Sequence, residues 1–156
     1  MAAVLQLIAS GNLTLAYVEG FDEFDEPDSI VTAICAAGCA SGAWQRADVL
    51  FKGQNVRDVS LAVGASGTTF IAYGATVPAP GDSVYEVIDY GILRLGHCSS
   101  NCALASSWQF LTVDSVRWYR PDHVSLALDS AGHAGIAHSN SGALRFSLIK
   151  ADLQSR

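Results

Sequence analysis

The sequence is short of the residues that mark several protein classes. It holds one methionine and four prolines in 156 residues, and only 15% of its residues are charged. Nine Lys and Arg stand against fifteen Asp and Glu, for a net charge of −6. That balance argues against a nucleic-acid partner, because neutralising phosphates needs clustered cations. It argues equally against an anionic membrane surface. Long apolar runs are missing too. The best stretch, residues 30–43, is broken by Gly38, Ser41 and Gly42, short of the roughly 20 residues of a membrane-spanning helix. No phosphate-binding or dinucleotide glycine loop, no HExxH and no GxSxG occurs, so the common signatures of nucleotide, zinc-protease and serine-hydrolase chemistry are absent. The amino-terminal MAAVLQLIAS lacks a basic region and a cleavage pattern. It is not a complete signal peptide, so the chain is expected to be cytosolic, to have lost a leader, or to be a segment of a longer protein.

What the sequence does have is apolar residues, 50% of the total, and 14 glycines. Disorder over most of the length is therefore excluded, and one domain with a real core is expected. One stretch recurs three times. Residues 125–138 read SLALDSAGHAGIAH, residues 60–73 SLAVGASGTTFIAY and residues 4–17 VLQLIASGNLTLAY. Each is an apolar strand, a small-polar turn with a glycine (Gly11, Gly67, Gly132), and a second strand ending in Tyr17, Tyr73 or His138. Three copies of one hairpin signal a repeat architecture.

The remaining segments keep the same order. After the first hairpin comes an acidic loop, residues 18–28, carrying Glu19, Asp22, Glu23, Asp25, Glu26 and Asp28. Charge this dense of one sign stays in water. A third strand over 29–34, a CxxxC pair and a fourth strand over 44–51 follow. The second unit has a loop over 74–90, a third strand over 91–96, another CxxxC pair and a fourth strand over 108–113. Residues 114–123 then form a connector. The third unit has only a short loop, 139–141, and a third strand over 142–149. The spacing is about 56 residues between the first two units and about 65 between the next two, and insertions confined to one connection fit a repeat scaffold with one variable face.

A four-stranded antiparallel meander at this period reads as a propeller blade. Here the chain resembles bacterial β-propeller repeat proteins, whose blades have the form SLALDSSGNPHIAYYD…GDLRYA…C…C…W…VD. The matching residues are 125–138 with Gly142, Ala143, Leu144, Arg145 and Phe146, and 60–73 with Gly91, Ile92, Leu93, Arg94 and Leu95. Cys98, Cys102 and Trp108 continue the match, and the first unit is degenerate. The resemblance implies an all-β domain over residues 1–156 of about 2.75 four-stranded blades, divided near 1–56, 57–121 and 122–156. The alternative is a β-sandwich. A closed ring needs at least about four blades, so two copies are expected to close a homodimeric ring of about six. A fragment of a longer chain is the other explanation.

The two CxxxC pairs lie at equivalent places. Their spacing permits two local disulfides or a four-thiolate zinc site. Neighbouring blades hold such loops apart, and the related repeat proteins carry paired cysteines here. The resemblance therefore implies Cys35–Cys39 and Cys98–Cys102, and with them an extracellular or periplasmic location.

In a meander the connections after second and fourth strands share one end of the blade. Long loops on a rigid scaffold are where binding is expected. That end collects Tyr17, Tyr73 and His138 as candidate lining residues of a central mouth, with packing as their other role. It also collects Arg117, Trp118, Tyr119, Arg120, Asp122 and His123, an aromatic and charged group suited to a sugar or a protein surface, or to sealing between blades. Asp22, Asp25 and Asp28 are a weak calcium candidate without the spacing of an EF-hand. No other cofactor is expected. No catalytic residue is assigned: His97, His123, His133 and His138 lack motif partners. Asp58, Asp114 and Asp122, near the connectors, are conceivable members of the carboxylate pair of a propeller-type glycan hydrolase or lyase, though their spacing does not single them out. The expectation is a non-enzymatic binding or interaction module, with that hydrolase or lyase and a purely structural scaffold as the competing functions.

Overall fold

The computed structural model describes residues 3–7, 12–19, 29–35, 44–48, 56, 58–78, 89–117 and 119–150. They hold eleven strands: β1 (Ala3–Leu7), β2 (Leu13–Glu19), β3 (Ser29–Cys35), β4 (Gln45–Asp48), β5 (Val59–Val63), β6 (Thr69–Pro78), β7 (Asp89–Cys98), β8 (Gln109–Arg117), β9 (Asp122–Leu128), β10 (Ala134–Asn140) and β11 (Ala143–Ile149). The fold is all-β. The strands form three antiparallel sheets, β1-β2-β3-β4, β5-β6-β7-β8 and β9-β10-β11, each a simple meander. Among the described residues the only helical element is a 3-10 turn at Ala105–Ser107, and no helix is long and apolar enough to cross a membrane.

The turns explain the hairpins. In the second sheet Gly64 donates its N–H to the Thr68 carbonyl and Gly67 donates to the Gly64 carbonyl. In the third, Asp129 donates to His133 and Gly132 donates to Asp129, at the same positions of the repeat. Gly67 and Gly132 have φ of 83° and 82°, a left-handed conformation that a side chain would strain. The turn at Gly11 lies outside the described residues.

The middle sheet is covered on both faces. Leu61, Ile71, Tyr73, Ala75 and Ile92 pack with Ala16, Val18 and Ile30 of the first sheet. Ala62, Ala72, Leu93 and Leu95, from the alternate positions, pack with Leu126, Ala134 and Ile136 of the third. Each large aliphatic side chain buried this way contributes about 1.5–3 kcal/mol. This double coverage explains why β6 and β7 are apolar on both sides rather than alternating with polar residues. Contacts between sheets run chiefly through the first strands: β5 touches β1 on one side and β9 on the other, with β2 and β6 beside them.

Several boundaries differ from the sequence reading. β6 and β7 extend to Pro78 and back to Asp89, pairing Val77 with Tyr90 and Thr76 with Gly91, so both ends of the loop expected over 74–90 are strand; residues 79–88 lie outside the described residues. β8 continues past Val113 to Arg117, paired with β7 across a register shift beside Leu93 and Arg94. Most of the expected connector is therefore strand. β10 runs on to Asn140, and the turn is Ser141 and Gly142, with φ of 52° and 78°. Two successive positive φ values make a type I′ turn, whose twist matches paired strands. β4 begins at Gln45, and Trp44, expected to open it, is an exposed residue ahead of the strand.

Candidate functional site

The expected binding end is built on the passage from β8 to β9. The chain crosses the end of the second sheet where Gly74 and Gly91 leave room. A Cβ on Gly74 would collide with the carbonyl of Pro121, and one on Gly91 with that of Tyr119. These glycines let the backbone lie directly on the sheet. Pro121 is fully buried, while the Tyr119 side chain stands half-exposed at 51%.

The following residues are tied down by polar contacts. Arg120 Nε is 3.2 Å from Asp122 Oδ1. The His123 N–H donates to Asp58 Oδ2 at 2.7 Å, which holds His123 at its positive φ of 53°. Ser139 Oγ donates to the Asp122 carbonyl at 3.0 Å. Just below, the Leu126 N–H donates to Ser60 Oγ at 3.0 Å. Arg120, Asp122 and His123 are thus brought together with the Tyr119 ring at one end of the second and third sheets. Arg117 is exposed at the end of β8, opposite Tyr90. Trp118 lies outside the described residues.

Tyr17, Tyr73 and His138, expected to line a mouth or to pack, differ in their exposure. Tyr73 and His138 have no exposed surface, because the neighbouring sheet covers each of them. Both side chains pack beneath it. Tyr73 meets Phe110 edge-on with ring centres 6.3 Å apart. Burial pushes its hydroxyl up from 10.0 to about 12, and the facing Arg94 opposes this. His138 Nε2 is 3.5 Å from Asp114 Oδ2, and the same carboxylate oxygen meets Arg145 Nη1 at 3.3 Å. Tyr17 is half-buried on the far face of the first sheet.

The three connector carboxylates are all engaged. Asp58 accepts from His123, Asp122 pairs with Arg120, and Asp114 accepts the Ser115 N–H and meets Arg145 and His138. Asp22, Asp25 and Asp28, the calcium candidate, lie outside the described residues. Among the described residues no group of three His, Cys, Asp or Glu is placed to hold a metal ion.

At the opposite end, Cys98 and Cys102 form a disulfide. Trp108 Nε1–H donates to the Cys102 carbonyl at 3.1 Å, and its ring stacks on Phe110 with centres 6.4 Å apart. The cysteine loop is therefore anchored to the core between the first and second sheets. Cys35 is buried and disulfide-bonded as well; Cys39, its expected partner, lies outside the described residues.

Two polar features were not singled out in the sequence. Asp129 accepts N–H groups from Ala131 and His133 through Oδ1, and its Oδ2 lies 2.7 Å from His133 Nδ1. The His133 side chain is the first cause holding the Asp129 carboxyl below its ordinary value. The spacing from Asp129 to His133 across one turn was the available signal. The other feature, the ties from Asp58 and Ser60 to the backbone of β9, joins residues more than sixty positions apart and had none.

Comparison of the chain with protein-family models, with curated proteins and with solved structures gives no match.

Proposed function

We propose that the three sheets are successive blades of a propeller-type domain, about 2.75 blades in all, acting as a non-enzymatic interaction module. The observation that carries this reading is the middle sheet. It is sandwiched between two others, and the contacts run through the first strand of each. A two-layer sandwich would bury one face of each sheet and leave the other in water. Successive sheets converging on their first strands are what a radial arrangement requires.

The binding surface in this reading is the end carrying Tyr119, Arg120, Asp122 and His123. An exposed aromatic ring beside charged hydrogen-bonding groups suits stacking on a sugar or docking on a protein surface. The rigid glycine-seated backbone beneath them supplies preorganisation. The structural engagement of Asp58, Asp114 and Asp122 favours binding over hydrolysis, since a glycosidase needs two carboxyl groups directed at one bond. The disulfide is compatible with an extracellular or periplasmic location.

A glycan array combined with a panel of chromogenic glycosides tests the function. Saturable binding that falls on Tyr119→Ala, without turnover, is the expected result. Turnover of any glycoside would overturn the non-enzymatic reading, and failure of both assays would leave a structural scaffold.

A further inference from the structure

We infer that a second copy of this chain covers the free face of the third sheet, seating the far face of its own first sheet there, head to tail. The inference rests on the reading of the sheets as successive units about one axis, and it is carried by their register.

Ala16, Ala72 and Ala137 hold the same position in the second strands of the three sheets, where they pair with Thr32, Leu95 and Phe146. Two residues on, Val18, Gly74 and Ser139 pair with Ile30, Leu93 and Leu144. In the first two sheets the next sheet shuts these third-strand residues away: Ile30 and Leu93 are 0% exposed, Thr32 and Leu95 1%. In the third sheet Leu144 is 83% exposed and Phe146 69%, and Leu148 on the same face is 63% exposed. Ala127, Gly135 and Ala137 share that face. Three large apolar side chains in a row over small residues make the kind of patch that marks an interaction surface.

The other end of the row identifies the occupant. Ile71 and Ile136, and beside them Tyr73 and His138, are fully buried against the preceding sheet. Their counterparts in the first sheet, Leu15 and Tyr17, are only half-buried. Within the chain, each Ile71-type face packs on an Ala72-type face. One face of each type is left over, at opposite ends of the molecule. A second copy supplies both complements at once, and two such contacts related by a two-fold axis close without leaving a free end. A symmetric pairing of two third sheets would instead set Phe146 against Phe146, a match of like faces that occurs nowhere among the described residues.

The test is sedimentation velocity on the purified chain at micromolar concentration. The expected species has twice the chain mass. Leu144→Ser combined with Phe146→Ser should return it to the single-chain mass while the circular dichroism spectrum is unchanged. Leu144→Ser alone guards against misfolding, since this side chain has almost no contact to lose within one chain. Oxidising a mixture of Leu144→Cys and Leu15→Cys chains should cross-link the two different variants. A wild-type chain that stays at single mass would overturn the inference. So would cross-linking of Leu144→Cys chains to one another, which signifies like-face pairing. Neither result touches the blade reading, which fails separately if an experimental structure shows β1, β5 and β9 not gathered about a common axis.

Discussion

The N–H of His123 donates to the carboxylate of Asp58 at 2.7 Å, and the two residues stand at equivalent places of the repeat, His123 in the first turn of β9 and Asp58 just ahead of β5. The Leu126 N–H finds Ser60 Oγ in the same manner. Side chains of one repeat thus satisfy backbone donors of the next, so the sheets are stitched along their first strands as well as packed. Removing the acceptor with Asp58→Ala leaves a donor on a residue already held at positive φ. The site is open to water, so the loss is expected near 1 kcal/mol, at the low end for a charged acceptor. Asp58→Asn keeps an acceptor oxygen and should recover most of it. Urea denaturation of the three proteins, compared at equal slope, checks the order.

Alkaline stability depends on Tyr73. Its hydroxyl is raised from 10.0 to about 12 by burial, with Arg94 pulling the other way. A folded-state value above the unfolded one means the folded protein holds this proton more tightly. Its contribution is complete below pH 10 and is lost as the pH climbs through about 12, at roughly 1.4 kcal/mol per unit. Ultraviolet difference titration should show a tyrosine that ionises only as the pH nears about 12 and that is missing from Tyr73→Phe. Tyr73→Phe should flatten the fall in stability over that window. A single titration step for all tyrosines at the ordinary value would contradict the burial argument.

The connector's seat makes a sharper prediction. Gly74 and Gly91 lie against the carbonyls of Pro121 and Tyr119, backbone atoms that cannot swing aside as a side chain tip can. Gly67, by contrast, has open space around its missing Cβ and is constrained only by its φ of 83°. Gly67→Ala should therefore cost about 1–2 kcal/mol, while Gly74→Ala and Gly91→Ala should cost more and lift the connector from the sheet. Amide hydrogen exchange over residues 119–123 separates the cases: faster exchange there is expected for the Gly74 and Gly91 variants and not for the Gly67 variant.

Much of this was legible in the sequence. The hairpins were, because alternation and turn glycines are local signals that a repeat multiplies. Strand ends were less so. Asp114 interrupts the apolar pattern of β8 and looked like the start of a loop, yet its carboxylate is taken up by Arg145 and His138 of the third sheet and the strand runs on. Trp44 and Trp108 hold equivalent places in the sequence, but Trp108 is buried over the second cysteine loop while Trp44 is 40% exposed. The candidate site was half legible. Arg120, Asp122 and His123 are close in sequence and close in space. The burial of Tyr73 and His138 follows from the preceding sheet stacking over each of them, which one repeat read alone does not reveal.

The disulfide anchors the end opposite the connector. Cys102 offers its carbonyl to the buried Trp108 indole, so the loop is fixed from inside as well as by its own bond. Closing so short a ring is worth about 2 kcal/mol by the chain-entropy argument. Opening this one ring with Cys98→Ser and Cys102→Ser together should therefore lower stability by about that amount and change the Trp108 fluorescence as its hydrogen-bond partner loosens. None of the described cysteines is free. Intact-mass measurement should show a gain of one hydrogen for each of the four cysteines on reduction. No gain would mean that the thiols are unpaired in solution.

Asp114 also links the second and third sheets, and its two partners should not count equally. Arg145 is half-exposed and meets the carboxylate at 3.3 Å, whereas His138 is fully buried at 3.5 Å. Solvent screens the first pair, so its coupling should stay below about 1 kcal/mol. In the second the His138 ring lies out of water although the shared carboxylate is 26% exposed, and a buried polar group that loses its neighbour costs about 1–3 kcal/mol. Double-mutant cycles decide between them. The cycle of Asp114→Ala with His138→Ala is expected to give the larger coupling, and that with Arg145→Ala the smaller, with the latter shrinking further in high salt while the former holds. The reverse order would mean that the surface pair, and not the buried contact, carries the electrostatic tie between these sheets.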